Sequence, residues 1–183
     1  MSPVTADVSV RVAWPADAQQ IAAVQIDTWQ VTYRELLPAR LLSSLPIEDF
    51  TVQWQRSIAR PVEARQRVLV ALERAAIRGF TTTAPSTDVD ADPGRDGEIG
   101  ELVVTPDARR QGHGSRLLHA AVDTLRSDRF SRALLWLPST DDDLRRFLVG
   151  QGWAPDGAHR ELDLYGDGAV TVKQVRLHTD LSR

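Results

Sequence analysis

The stretch EIGELVVTPDARRQGHGS, Glu98 to Ser115, decides how this chain is read. Glu98 to Val104 ends in the run Leu102-Val103-Val104 and reads as a strand. Thr105-Pro106-Asp107 reads as a turn, and from Gly112 to Arg126 the residues Leu117, Leu118, Ala121, Val122 and Leu125 share one face of a helix. The first four amides of such a helix have no partner inside it, and its dipole adds about half a positive charge at that end. Gly112 and Gly114 remove the β-carbons that would keep an anion from the backbone. Arg109 and Arg110 can each add a charge-assisted hydrogen bond of about 1.5–3 kcal/mol. Two other anion sites are excluded. The phosphate loop of ATP and GTP proteins needs a lysine followed by serine or threonine after its second glycine, and a nicotinamide site wants a third glycine and a tightly wound βαβ order.

Outward from this turn the chain divides into short elements. Val8, Val10 and Val12 alternate with polar residues as a half-buried strand, and Pro15 sets up a helix carrying Ala18, Ile21, Ala22, Gln25 and Trp29 on one face. The pattern breaks around Tyr33 to Pro38; Phe50, Trp54 and Ile58 then recur every fourth residue as a second helix, ended by Pro61. Arg67 to Leu72 and Ala75 to Thr83 read as a hairpin about Glu73 and Arg74. Residues 84–97, acidic and rich in proline and glycine, are too polar to pack and are expected to form a mobile surface loop inside one domain, 1–183. Beyond the central helix come a strand at Ala133 to Leu137 and a short helix around Leu144, Phe147 and Leu148. A closing hairpin, Glu161 to Leu164 and Val170 to Leu177, turns at Tyr165 to Gly168.

Composition narrows the chemistry. With 183 residues and 42% hydrophobic content the chain can bury one substantial core. A net charge of −3 and a pI near 5.8 lack the basic footprint of a nucleic-acid partner. The absence of cysteine excludes disulfides, thiolate metal sites and a cysteinyl acyl-enzyme. His113, His119, His159 and His178 show no metal-ligand spacing, so no metal is expected. The start lacks a signal segment and no run is long and apolar enough to span a bilayer, so no membrane is expected and the protein reads as cytoplasmic.

Arg109, Gly112 and Gly114 match the R/Q-x-x-G-x-G/A signature of the GNAT superfamily, the acetyl-coenzyme A dependent N-acetyltransferases, and the chain resembles that family over nearly its whole length. The resemblance implies an α/β (α+β) GNAT fold: a central mixed, twisted sheet of about seven strands with four helices in the order βααβββαβαββ. It implies acetyl-coenzyme A as cosubstrate, its pantetheine arm against the backbone of Leu102, Val103 and Val104, and its diphosphate on the turn Arg109, Arg110, Gln111, Gly112, His113, Gly114 and Ser115. His113 falls at a variable position of the motif and is expected to face solvent.

Catalytic roles are carried over in the same way. Glu98, eleven residues before Arg109, matches a glutamate that serves as general base in parts of the family. Glu101 lies on the opposite strand face, and one of the two is expected to face the acetyl group. A carboxyl at its ordinary pKa of about 4.3 is a weak base, so burial has to raise it. Many relatives place a tyrosine after the phenylalanine of the last helix to protonate the leaving thiolate; here Phe147 is followed by Leu148. Tyr33 and Tyr165 are the candidate substitutes. Asp141 stands where relatives carry an asparagine near the coenzyme, and Ser139 or Thr140 could serve that contact. The acceptor, a small-molecule or peptide amine, is expected near Asp27, Trp29, Tyr33, Arg34 and Tyr165. The competing reading is a non-catalytic acyl-coenzyme A sensor or scaffold. Pairing of two copies through the final strand stays open.

Overall fold

A computed structural model of the chain describes residues 8–164 and 168–182. By its internal contacts the chain forms two compact units, Met1–Thr83 with Glu101–Asp123, and Ala84–Gly100 with Thr124–Arg183. The chain passes from one to the other within two strands and one helix.

The first unit opens with β1 (Val8–Val12), antiparallel to β2 (Arg67–Glu73). Between them lie α1 (Ala18–Thr32), α2 (Ala39–Ser43) and α3 (Ile47–Ala59). Asp17, buried before α1, accepts two bonds from the Arg11 guanidinium at 2.6 and 3.1 Å and one from the Trp14 amide at 2.7 Å, which closes the 3-10 turn Pro15–Asp17 that precedes the helix. Its carboxyl is lowered mainly by the hydrogen bond from Arg11. β2 turns into β3 (Ala76–Pro85) at Arg74, whose φ of 56° is left-handed. Ala13, Ile21, Val24, Val68, Val70, Leu72, Ile77, Phe80 and Val103 form the core here, with Trp54 and Ile58 of α3 half-buried against it. The Trp54 ring meets Phe80 edge-on at 5.0 Å.

β4 (Asp96–Val104) and α4 (His113–Ser127) carry the chain across the two units. In the second unit, β5 (Arg132–Pro138) is a continuous buried run, as a strand covered on both faces should be. Its pairing with β4 is parallel, which requires a crossover, and α4 supplies it. α5 (Asp142–Gly150) leads to β6 (Ala154–Asp163) and β7 (Thr171–Asp180), with β7 antiparallel to both β5 and β6. Hydrogen-bonded neighbours follow the order β1-β2-β3-β4-β5-β7-β6, a mixed sheet of seven strands among the described residues.

This is the expected α/β architecture with one added element. The break around Tyr33 to Pro38 leads into α2, so five helices stand where four were expected: Pro38 caps a single extra turn before Pro46 restarts the chain as α3. Within residues 84–97 the chain from 86 to 95 is a loop with Thr87, Val89, Asp90 and residues 92–95 exposed, and its ends are tied down. β3 reaches Pro85, β4 opens at Asp96, Ser86 and Asp96 are buried, and Asp88 and Asp90 are bound to arginine. Asp88 and Asp90 are held here by the buried guanidinium of Arg176, and Asp96 by the half-exposed Arg132. No helix among the described residues is long and apolar enough to cross a membrane.

Candidate active site

The glycine turn lies in the first unit. Pro106–Ala108 makes one 3-10 turn, Arg110 adopts φ +61° and Gly112 φ +85°, and α4 begins at His113. A left-handed arginine is uncommon, and its conformation costs on the order of 1–3 kcal/mol. At Gly112 a β-carbon would come within 2.9 Å of Nη1 of Arg116 as well as meet the unfavourable φ. Arg109, Arg110, Gln111 and Gly112 are exposed, and Gly114 and Ser115 are half-buried. Arg109 bends back to the Val104 carbonyl at 3.5 Å, and the Gln111 side chain donates to the Asp107 carbonyl at 3.1 Å.

One sequence expectation about this stretch changes. His113 does not face solvent: it is 2% exposed, and its Nδ1 is buried with no hydrogen-bond partner among the described residues. Burial, with Arg116 nearby, lowers its pKa and keeps the ring neutral. The cause is spacing, since His113 stands four residues before Leu117 and so joins the inward stripe of α4. Val103 offers its side chain to the core, while Leu102 and Val104 are half-buried.

Glu101 is the chemically distinctive residue of the unit. Two threonines of β3 hold its peptide: Thr81 Oγ1 donates to its carbonyl, and its amide donates to Thr82 Oγ1 at 3.2 Å. Oε1 of the side chain accepts from Gln25 Nε2 at 3.3 Å, and Gln25 Oε1 accepts from Trp54 Nε1 at 2.7 Å. Oε2 is buried without a partner among the described residues. Burial pushes the carboxyl up to about 7, against the opposing pull of the Gln25 hydrogen bond. Tyr33, at the end of α1, is raised by burial and by the charge of Glu101. Its ring packs edge-on against Trp29 at 5.8 Å, and Trp29 meets Phe50 in the same way at 5.4 Å.

Glu98 belongs to the second unit and to a different environment. It accepts from Ser86 Oγ at 3.1 Å; burial and then Asp88 raise its pKa, opposed by that bond and by Arg160 and Arg176. Arg176, 4% exposed, binds Asp88 at 2.8 Å, Asp90 at 2.6 Å and Asp156 at 2.7 Å. Trp136 Nε1 donates to Asp88 at 2.9 Å, and the Arg160 guanidinium lies 4.2 Å over the Trp136 ring. In α5, Leu148 is fully buried and offers no hydroxyl. Asp141 accepts from the Leu144 amide at 3.0 Å, so this carboxylate caps its own helix. Of the expected acceptor residues, Asp27 and Arg34 are exposed, Trp29 and Tyr33 are half-buried, and Tyr165 lies outside the described residues.

A glycine turn opening a helix and a buried carboxyl poised near neutrality lie in one unit of a mixed α/β sheet, an arrangement suited to group transfer. The sequence model of the Acetyltransferase (GNAT) family matches residues 29–152, and this chain belongs to that family of acyltransferases. An uncharacterized N-acetyltransferase of Bacillus subtilis (strain 168), YuaI, is 30% identical over 170 residues, 93% of this chain and 91% of its own length. Two solved structures share the fold at low identity. YncA of Salmonella typhimurium, solved with its cofactor acetyl-CoA, has TM-score 0.71 at 15% identity, covering 97% of this chain and 95% of that one. The PaiA N-acetyltransferase of Thermoplasma acidophilum, solved in complex with coenzyme A, has TM-score 0.66 at 16% identity, covering 92% and 98%.

Proposed function

We propose that this protein moves an acetyl group from acetyl-coenzyme A directly to a primary amine of a small molecule or peptide, within a ternary complex, and that Glu101 is the general base. The observation that carries the reading is the Glu101 carboxyl itself: buried, raised to about 7, with Oε2 unpartnered, in the same unit as the glycine turn. An alkyl amine of pKa about 10.4 is neutral in only about one molecule in 2,500 at pH 7, so transfer requires a group that takes its proton. A carboxyl at about 7 is half ionised there and is a far stronger base than one near 4.3.

Each part of the chain has a task in this scheme. The backbone amides from Arg110 to Ser115 and the exposed guanidinium groups of Arg109 and Arg110 bind the diphosphate. The strand backbone at Leu102, Val103 and Val104 aligns the thioester arm, and an amide there polarises its carbonyl. Glu101 takes one proton from the ammonium; the neutral nitrogen then bonds to the acetyl carbon, the carbon–sulfur bond breaks with its electron pair leaving on sulfur, and the second nitrogen proton goes to the departing thiolate. A thiolate with a pKa near 8.5 leaves without strong acid assistance, consistent with Leu148 at the position after Phe147.

Free thiol release from acetyl-coenzyme A, followed with polyamines, aminoglycosides, amino acids and peptides, tests the proposal. Acceptor-dependent release that is lost in Glu101→Gln while coenzyme binding persists is the expected result. Saturable coenzyme binding without release for any acceptor points instead to a sensor, and absence of binding removes the reading altogether.

A further inference from the structure

We propose that Gln25 is a positioning residue for Glu101: clamped by the Trp54 indole, its amide holds Oε1 of the carboxylate and leaves Oε2 as the atom that takes the acceptor's proton. The inference rests on Glu101 as the base and adds the machinery that aims it.

The argument begins with a polar residue where none is needed. Gln25 sits on the buried stripe of α1 between Ala22 and Ile26 and is 6% exposed. A glutamine there has to satisfy both ends of its amide or lose stability. Its two ends look alike in shape but differ in role, and the indole settles which way round they lie. Trp54 Nε1 can only donate, so the group 2.7 Å from it is the Gln25 oxygen. The NH2 group is then forced toward Glu101 Oε1, at 3.3 Å. Trp54 itself is held by its edge-on contact with Phe80, which is fully buried. α3, α1 and β4 thus join through one chain of donors, Trp54 to Gln25 to Glu101.

The chain has two chemical effects. One carboxylate oxygen is tied and the other, buried, is not, so the proton-accepting atom is a single defined position rather than either of two. The donor is also neutral. Asp17 beside Arg11 and Asp96 beside Arg132 show what a cationic partner does: both carboxyls are held below their ordinary range, mainly by the arginine hydrogen bond, where they are poor bases. An amide supplies orientation without that penalty. Around Glu101 the other residues that touch it, Thr81 and Thr82, are neutral, and Tyr33 is the titratable group coupled to it among the described residues.

Two variants test the clamp. Gln25→Met keeps an unbranched side chain and removes both amide functions; Trp54→Phe keeps a ring against Phe80 and removes only the donor. The titration of Glu101 is read by carbon-detected NMR of glutamate-labelled protein, assigned by its loss in Glu101→Gln, alongside the pH dependence of kcat/KM. In Gln25→Met the Glu101 midpoint rises by about one unit, the acidic limb of the rate follows it, and kcat at pH 7 falls roughly tenfold with KM for acetyl-coenzyme A within twofold. Trp54→Phe moves the midpoint the same way by less. The double variant goes no further than Gln25→Met, because the indole acts through the amide. A Glu101 midpoint unmoved in folded Gln25→Met, or additive shifts in the double variant, overturns the proposal. Failure of the base assignment shows elsewhere, as a Glu101→Gln enzyme that retains the wild-type rate.

Discussion

Glu98 and Glu101 are both burdened by burial, and both hold their protons more tightly than a solvated carboxyl does. Their neighbours differ. Glu98 shares its surroundings with Ser86, Asp88, Arg160 and Arg176, so charges of both signs act on it and partly cancel. Glu101 accepts from one neutral amide and keeps an oxygen with no partner among the described residues. A carboxyl inside a charge network is a structural component whose proton affinity is set by many groups. A carboxyl desolvated beside a neutral donor is left to exchange a proton with whatever arrives. That contrast, more than position in the strand, separates the two residues named from the sequence.

The contrast is broken or sharpened most strongly by activity. Glu101→Gln lowers kcat/KM by about 10²- to 10⁴-fold, the usual worth of a general base, while Glu98→Gln lowers it less than about tenfold. Equal losses in the two variants, measured by thiol release at saturating coenzyme, erase the distinction. The next largest effect is on stability, on the Glu98 side. Arg176→Met removes the cation that Asp88, Asp90 and Asp156 share, leaving Asp88 with Arg160 at 3.6 Å, a change that costs about 1.5–3 kcal/mol in urea unfolding. A cost below about 1 kcal/mol means that the network is solvated and that Glu98 sits in a looser environment than its contacts indicate.

Glu101 carries its own stability signature. Its folded pKa of about 7 lies above the ordinary 4.5, so between those values the folded state binds more protons than the unfolded state. Stability from this group is therefore complete below about 4.5 and declines as pH rises through 7, by on the order of 3 kcal/mol in total. Glu101→Gln abolishes that slope. Thermal unfolding from pH 5 to pH 8 should show the variant gaining steadily on the wild type, and parallel curves break the assignment.

Much of this was legible in the residues. The turn from Arg109 to Ser115, the strand before it and the helix after it follow from glycine placement and apolar spacing. Glu98 was named from the family resemblance, and Glu101 as its counterpart on the opposite face of the strand. The burial of His113 was readable too, from its place in the series His113, Leu117, Ala121 and Leu125, all buried at intervals of four. Gln25 stood in plain sight as the polar member of an apolar stripe, but nothing in its neighbours says that Trp54, on another helix, will meet it. The pairing of Asp88 and Asp90 with Arg176 was hidden for the same reason: Arg176 lies 86 residues beyond Asp90, and no local pattern announces the partner. Spacing reports what one element does with its own faces. Pairs made between distant elements, on which both carboxyl environments depend, leave no local trace.

The smallest expected effect separates the two carboxyls most cleanly, because it touches only one of them. Ser86 is 2% exposed, and its hydroxyl donates to Glu98 Oε2 at 3.1 Å, a bond that pulls Glu98 downward. Ser86→Ala removes that pull, raises the Glu98 midpoint and costs about 1 kcal/mol of stability. With Glu101 as the base, the acidic limb of kcat/KM stays where it is, since neither Gln25 nor Trp54 has changed. A limb that climbs together with Glu98 assigns the proton to Glu98 and returns the unpartnered oxygen of Glu101 to a structural role. A shift of a few tenths of a unit is enough to decide between them, because the two readings differ in which residue's titration the rate follows.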